Sequence, residues 1–211
     1  MARAKIEVEA AVAPEPEPAA ALDVEVDGIG DVRVRGFARY CLARVAPPYF
    51  WSAPSSFTGK YHPGWANGPG GLVLHTRVVA HTAGDLCRAF GVERLRRDQI
   101  VAAAILHDLF KFGREGPDRC TFTEYRRHDY LTRRWVEEAL REAGMSGKLR
   151  SEGGKLRRVL EIMEPHLGKW SRSKVGKLDR AQRLLHVADY VSSRPIVSAV
   201  EIPATLCEEP W

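Results

Sequence analysis

His75, the adjacent pair His107-Asp108, His128, His166 and Asp189 form an ordered series of imidazoles and carboxylates along the chain. Several of them interrupt segments whose other residues are apolar at helical spacing. An imidazole or carboxylate on a buried helical face is costly unless something satisfies it. A metal ion satisfies several such groups at once, and the chemistry it brings is hydrolytic or redox.

The elements that must position these groups are helices. The pattern predicts helices at about 72–90, 97–112, 124–143, 155–167 and 179–194, separated by breaks containing Gly, Pro or Ser. In the first, His75 shares a stripe with Val78, Val79, Thr82 and Leu86, whereas His81 points elsewhere, toward water. The second is apolar nearly all round from Ile100 to Leu106 and should be central. Ile100, Ala104, His107, Asp108 and Lys111 fall on one side of it. In the last, Asp189 joins Ala181, Leu185, Ala188 and Ser192 on one face. Alone, Asp189 reads as a salt-bridge partner; in company with His75, His107 and Asp108 it reads as a ligand. His128 shares a side with Leu131, Trp135 and Ala139, while His166 follows Pro165, which ends or kinks its helix. Taken singly, each of these two is more often an ordinary hydrogen-bonded histidine. His62, His81 and His186 receive no role in a metal site.

Ahead of this helical region, residues 1–21 form an Ala/Pro/Glu-rich tail that is expected to be disordered. Val24, Val26, Val32 and Val34 alternate with charges around Asp27-Gly28-Ile29-Gly30-Asp31, which predicts a small β-hairpin over residues 22–34. A helix follows from Gly36, with Phe37, Tyr40, Cys41 and Val45 on one face, and Pro47-Pro48 stops it. Residues 49–71 are rich in Pro, Gly, Ser and aromatics, a composition and length expected of a functional loop. The domain reading is a tail (1–21), a region packing on the main body (22–71), an all-α main domain (72–195) and a C-terminal tail (196–211).

Composition narrows the class. At 211 residues, 45% hydrophobic and 28% charged, the chain can build one sizeable core. A net charge of +5 is compatible with an anionic partner such as a nucleotide or nucleic acid, and equally with an ordinary arginine-rich surface. The four cysteines, Cys41, Cys87, Cys120 and Cys207, form no Cys-x-x-Cys pair, which argues against a zinc finger or a disulfide framework and for a reducing cytoplasm. No apolar run reaches membrane-spanning length, and no secretory h-region is seen at the start.

The order His75 … His107-Asp108 … Asp189 on helices, with Lys111 after the pair, resembles the HD-domain superfamily of metal-dependent phosphohydrolases, over about residues 70–195. The fold this implies is an all-α HD-domain helical bundle. His128 and His166 look like the extra ligands of its two-metal branch. The resemblance then implies a first ion on His75, His107, Asp108 and Asp189 and a second on Asp108, His128 and His166, with Asp108 bridging. The stretch FWSAPSS…YHP…GGLVLHT is similar to the segment before the first histidine in HD-type bacterial 3′-to-5′ exoribonucleases, but the chain has no room for their OB domain. A Gly-Tyr-Pro signature, found in cyclic-di-GMP phosphodiesterases of the superfamily, is missing. What remains is a small stand-alone HD hydrolase.

The implied cofactors are two divalent transition-metal ions from among Mn, Fe, Co, Ni and Zn, since His and Asp without thiolate do not select zinc. A metal-bridging hydroxide would attack a phosphoester of a nucleotide, another phosphorylated small molecule or a short nucleic acid. Asp108 and Lys111 are the candidate catalytic residues, Lys111 neutralising a substrate phosphate or sitting as a surface lysine at a helix end. Lys60, Tyr61 and His62 from the aromatic loop, with Lys111, Lys169 and Trp170, are the candidate substrate-binding residues; a solvated basic loop is the competing reading for residues 166–174. A di-iron oxygenase and a non-catalytic metal- or nucleotide-binding module are the alternatives. A homo-oligomer is compatible with all of these readings.

Overall fold

The computed structural model describes residues 21–60, 62–145, 147, 154–173 and 176–194. The expected tails therefore lie outside the described residues, apart from Ala21. The helices are α1 (Asp23–Asp27), α2 (Val32–Arg44), α3 (Gly71–Ala89), α4 (Arg94–Leu106), α5 (Phe122–Tyr125), α6 (His128–Glu142), α7 (Lys155–Met163) and α8 (Arg180–Ser192), with no strand among the described residues. No helix among them is long and apolar enough to cross a membrane.

Helix α4 is the axis of the bundle, packing against α2, α3, α7 and α8. Its C-terminal half explains why: Ala102, Ala103, Ala104, Ile105 and Leu106 are all fully buried. Three consecutive alanines keep the cylinder thin, so helices can close on it from several sides. Glu93 fixes its start by accepting from the backbone N–H groups of Leu95 and Arg96. Helix α8 begins in a capping box between Asp179 and Gln182.

The β-hairpin expected over 22–34 is corrected to helix. Leu22, Val26 and Ile29 are fully or almost fully buried at i, i+4 and i+7, whereas Val24 and Val32 are exposed. The alternation of valines thus coincides with a helical stripe, and the Asp27–Asp31 segment is a helix-to-helix junction. Asp31 caps α2 by accepting from the N–H groups of Arg33 and Val34. Its own N–H donates to Asp98, and Lys155 donates to its carboxylate at 2.9 Å, which ties the junction to α4 and α7.

Several helix boundaries also differ from expectation, the helix expected over 155–167 ending at Met163 among them, and two further differences shape the site. The helix expected to run to residue 112 stops at Leu106. It gives way to tight turns in which Leu109 N–H donates to Leu106 O, Lys111 N–H to Asp108 O and Gly113 N–H to Phe110 O. Tyr49 imposes this path: its hydroxyl donates to Gly113 O at 2.6 Å and accepts from Phe112 N–H at 3.2 Å. The helix expected over 124–143 is broken between α5 and α6, because the Thr121–Glu124 capping box closes a separate turn, and His128 becomes the first residue of α6. Tyr49→Phe should leave helicity intact but lower stability by roughly 1–3 kcal/mol, the cost of stranding a buried donor and acceptor. Urea unfolding measures it, and an unchanged midpoint would mean the hydroxyl does not hold this turn.

Candidate metal centre

Five structural sources bring the chemical groups to one point. His75 comes from the second turn of α3, His107 and Asp108 from the turns after α4, His128 from the start of α6, and Asp189 from α8. His166 comes from the turns that follow α7, where its N–H donates to Met163 O. Pro165 lies next to it and has no N–H with which to extend the helix. His75, His107 and His166 are fully buried, and Asp108 nearly so.

The arrangement is bipartite, with Asp108 between the halves. On one side, His75 Nε2 lies 3.1 Å from Asp189 Oδ1 and 3.7 Å from Asp108 Oδ2, and His107 Nε2 lies 3.3 Å from the same Asp108 oxygen and 3.7 Å from Asp189 Oδ1. On the other, Asp108 Oδ1 is 3.1 Å from His128 Nε2 and 3.6 Å from His166 Nε2. Two sets of converging donor atoms suitable for a metal ion emerge, His75/His107/Asp189 and His107/Asp108/His166.

Hydrogen bonding on the far side of three of the four histidine rings, His75 Nδ1 being without a partner, shows that the groups fit a cation. The Nδ1 atoms of His107, His128 and His166 lie 2.6, 2.6 and 2.9 Å from the carbonyl oxygens of Ala104, Tyr125 and Met163. A carbonyl can only accept, so each Nδ1 carries a proton and a neutral ring turns its Nε2 lone pair inward. His128 and His166 then point two lone pairs at each other across 3.1 Å. His107 Nε2 and Asp108 Oδ1, both buried, have no hydrogen-bond partner. Orphaned acceptors facing one another are unfavourable until a positive charge sits among them.

Electrostatics agree. Burial pushes His75 down, and burial with His107 and His128 takes His166 to about 4, so both stay neutral. Burial alone would raise the carboxyl pKa of Asp108, but His107 and Lys111 outweigh it and hold it well below the ordinary range. Asp189 is likewise kept low, with His75 and His107 overcoming burial. His107 is raised, because Asp108 and Asp189 overcome its burial. The field that favours a proton on His107 favours a metal ion at the same place.

Lys111 donates to Asp108 Oδ2 at 2.6 Å. It is buried rather than a surface lysine, and Asp108 overcomes the effect of burial to keep it charged. Lys111, His128 and Asp189 line a cavity of about 470 Å³ that opens to solvent, together with His62, Lys169 and Trp170 among the expected substrate-binding residues. His62 packs edge-on against His75 with both ring nitrogens unpartnered, and burial takes its pKa to about 2, so it faces the cavity uncharged. Lys169 lies over the Trp170 ring, which stacks on Tyr190. Lys60 is exposed and does not line the cavity, and Tyr61 lies outside the described residues.

Other supporting residues gave no periodic signal. His186 Nδ1 lies 2.7 Å from His166 O and fixes the backbone carrying that histidine. Gly168, at φ +58°, lets the His186 ring approach; a Cβ there would fall 2.4 Å from it. Asp129, fully buried beside His128, accepts from Ser171, and Glu164 accepts from Ser173 at 2.7 Å. These bonds pin the wall of the cavity formed by residues 167–173. A buried carboxylate next to a candidate ligand was the available clue to Asp129; His186, without company in sequence, offered none.

The HD-domain family profile matches residues 72–194, and the chain belongs to that family. Its members are generally metal-dependent phosphohydrolases, which accords with the paired His/Asp groups. No match was found among curated proteins or among solved structures.

Proposed function

We propose that the protein is a two-metal phosphohydrolase that cleaves a phosphoester of a nucleotide or short nucleic acid. One observation carries this reading: the two oxygens of a single buried carboxylate, Asp108, face separate histidine groups, directly behind Lys111 and His128 in the wall of a cavity rich in cations. Divalent ions bound by His75, His107, Asp108 and Asp189 on one side and by Asp108, His128 and His166 on the other would polarise a phosphoryl oxygen and make water nucleophilic at neutral pH.

The residues do the rest. The carbonyl-anchored histidines hold their donor atoms in place without reorganisation. Lys111, fixed against Asp108 and open to the cavity, supplies positive charge where negative charge builds on the phosphoryl group. His62, neutral and half-buried, shields His75 from water and offers a ring nitrogen to a substrate oxygen. Lys169 and Trp170 at the mouth present a cation and an aromatic to phosphate and base.

The test is elemental analysis of protein purified without chelator, with a phosphoester panel assayed in Mn²⁺, Fe²⁺, Co²⁺ and Ni²⁺. Two ions per chain and release of phosphate or nucleotide are expected. In His128→Ala, stoichiometry should fall to about one ion and turnover by about a hundredfold or more. Retained iron with a mixed-valent magnetic signal and no phosphoester cleavage would instead establish the oxygenase reading. Metal bound with neither activity would leave a binding module.

A further inference from the structure

Beside the mouth of the central cavity lies a second, shallower depression of about 440 Å³, lined by Phe122, Thr123, Arg126, Arg127 and Arg172. Arg126 and Arg172 also line the central cavity, so the two spaces adjoin across these side chains. We propose that this groove is a second phosphate subsite, holding the backbone of a single-stranded oligonucleotide whose scissile phosphate lies at the metal centre. The inference rests on the hydrolase reading and extends it by choosing the substrate class.

Charge is the first argument. Arg126, Arg127 and Arg172 are exposed, and none makes an ion pair with a described residue. Some arginines elsewhere are matched, as Arg133 is by Glu137 and Glu164 and Arg158 by Glu161 and Asp179, and others, such as Arg44, Arg134 and Arg183, are exposed without an ion pair to a described residue; what sets Arg126, Arg127 and Arg172 apart is that all three line one depression. Among the described residues, no carboxylate lines the groove, and Asp189 is the one carboxylate lining the central cavity. Guanidinium groups left unmatched along one path form a track for successive phosphates.

Size is the second. The central cavity already has the volume of an ordinary small-ligand site, about 300–1,000 Å³. A mononucleotide held there would leave Arg127 and the outer groove unused, whereas a chain of phosphodiesters occupies both.

The third argument separates nucleic acid from other polyanions. Phe122 is 73% exposed at the groove edge, with the Arg126 guanidinium 5.6 Å from its ring centroid. Arg127 lies over Tyr130 at 5.5 Å. An exposed ring among cations gives a base a stacking platform, for which inorganic polyphosphate has no use.

The experiment measures binding without turnover, using fluorescein-labelled octathymidylate with a phosphorothioate backbone and the metal-loaded protein. Arg127→Ala and Phe122→Ala change exposed side chains and should fold. Arg127→Ala should weaken binding several-fold and lower the slope of log K against log salt by about 0.7, one phosphate contact on a single strand. Phe122→Ala should weaken binding about tenfold with the slope unchanged. With octathymidylate of ordinary phosphodiester backbone, both should lower the ratio of octamer to thymidine-monophosphate cleavage. If the wild type fails to bind the octamer, or both variants bind it as the wild type does, the groove proposal is overturned even where thymidine monophosphate is cleaved. Tripolyphosphate displacing the octamer equally from wild type and Phe122→Ala, with no loss in octamer affinity on removing the ring, also overturns it. Binding that responds as predicted in a protein that cleaves no phosphoester supports the groove and removes the hydrolase reading alone.

Discussion

Asp108→Ala is expected to abolish metal retention and turnover together, and to destabilise the metal-free protein. Its carboxylate stands between His107, His128 and Lys111 at 3.3, 3.1 and 2.6 Å, so each of its oxygens faces a different half of the centre. Truncation removes a donor atom from each half. It also leaves the Lys111 ammonium buried without its nearest anion, a loss of roughly 3–5 kcal/mol for breaking a buried pair from one side. The two effects can be separated. Adding Lys111→Met to Asp108→Ala removes the uncompensated charge and should restore much of the unfolding free energy, while metal content and activity stay lost. Urea unfolding in chelator, with elemental analysis of the folded variants, reads both. An Asp108→Ala protein that still holds two ions per chain would contradict the bridging arrangement.

The residues that sequence reasoning could place are those whose chemistry conflicts with their surroundings. His75, His107 and Asp189 interrupt apolar stripes, and an interrupted stripe predicts a buried polar group wherever the helix is regular. The structure brings them to one point with Asp108. The signal for His128 and His166 is weaker: His128 shares a side with Leu131, Trp135 and Ala139 but begins its helix, and His166 follows Pro165, so periodicity says nothing of where its ring points. Both stand in the series of imidazoles, and only the family resemblance gives them a second ion. The helix ends were misjudged where tertiary contacts set them. Tyr49, some sixty positions away, ends the helical path after Leu106 through its hydroxyl, and local propensity contains no trace of that bond. The N-terminal hairpin failed for a different reason. A valine at every second position satisfies the strand pattern, yet Leu22, Val26 and Ile29 satisfy the helical one in the same residues, and the Asp31 cap decided between them. Lys60 shows the corresponding limit within loops, where a suitable side chain near the right histidine does not imply an orientation toward the site.

Gly71→Ala should be among the most damaging substitutions outside the metal centre, although helix propensity alone favours it. Gly71 opens α3, one turn before His75, and a Cβ built there would lie 2.0 Å from Ala66 O and 2.5 Å from Ala66 C. Those are backbone atoms, so no side-chain rotation can relieve the contact. The carbonyl cannot retreat without loss either, since it accepts from both the N–H and the hydroxyl of Ser55 at 2.8 Å, and Leu72 N–H donates to Ala53 O at 3.0 Å nearby. The aromatic loop is thereby closed onto the start of the helix that carries His75, and it sets His62 against that ring. Overpacking together with broken hydrogen bonds should cost roughly 3 kcal/mol or more, and metal retention should weaken as the first turn of α3 shifts. Gly36 provides the opposing control. It is exposed within α2, and a Cβ there would meet nothing within 4 Å. Gly36→Ala should therefore stabilise the protein by up to about 1 kcal/mol through backbone entropy alone. Opposite shifts in the unfolding midpoint would show that close approach, not helical preference, requires the glycine at 71; parallel shifts would show that the loop yields.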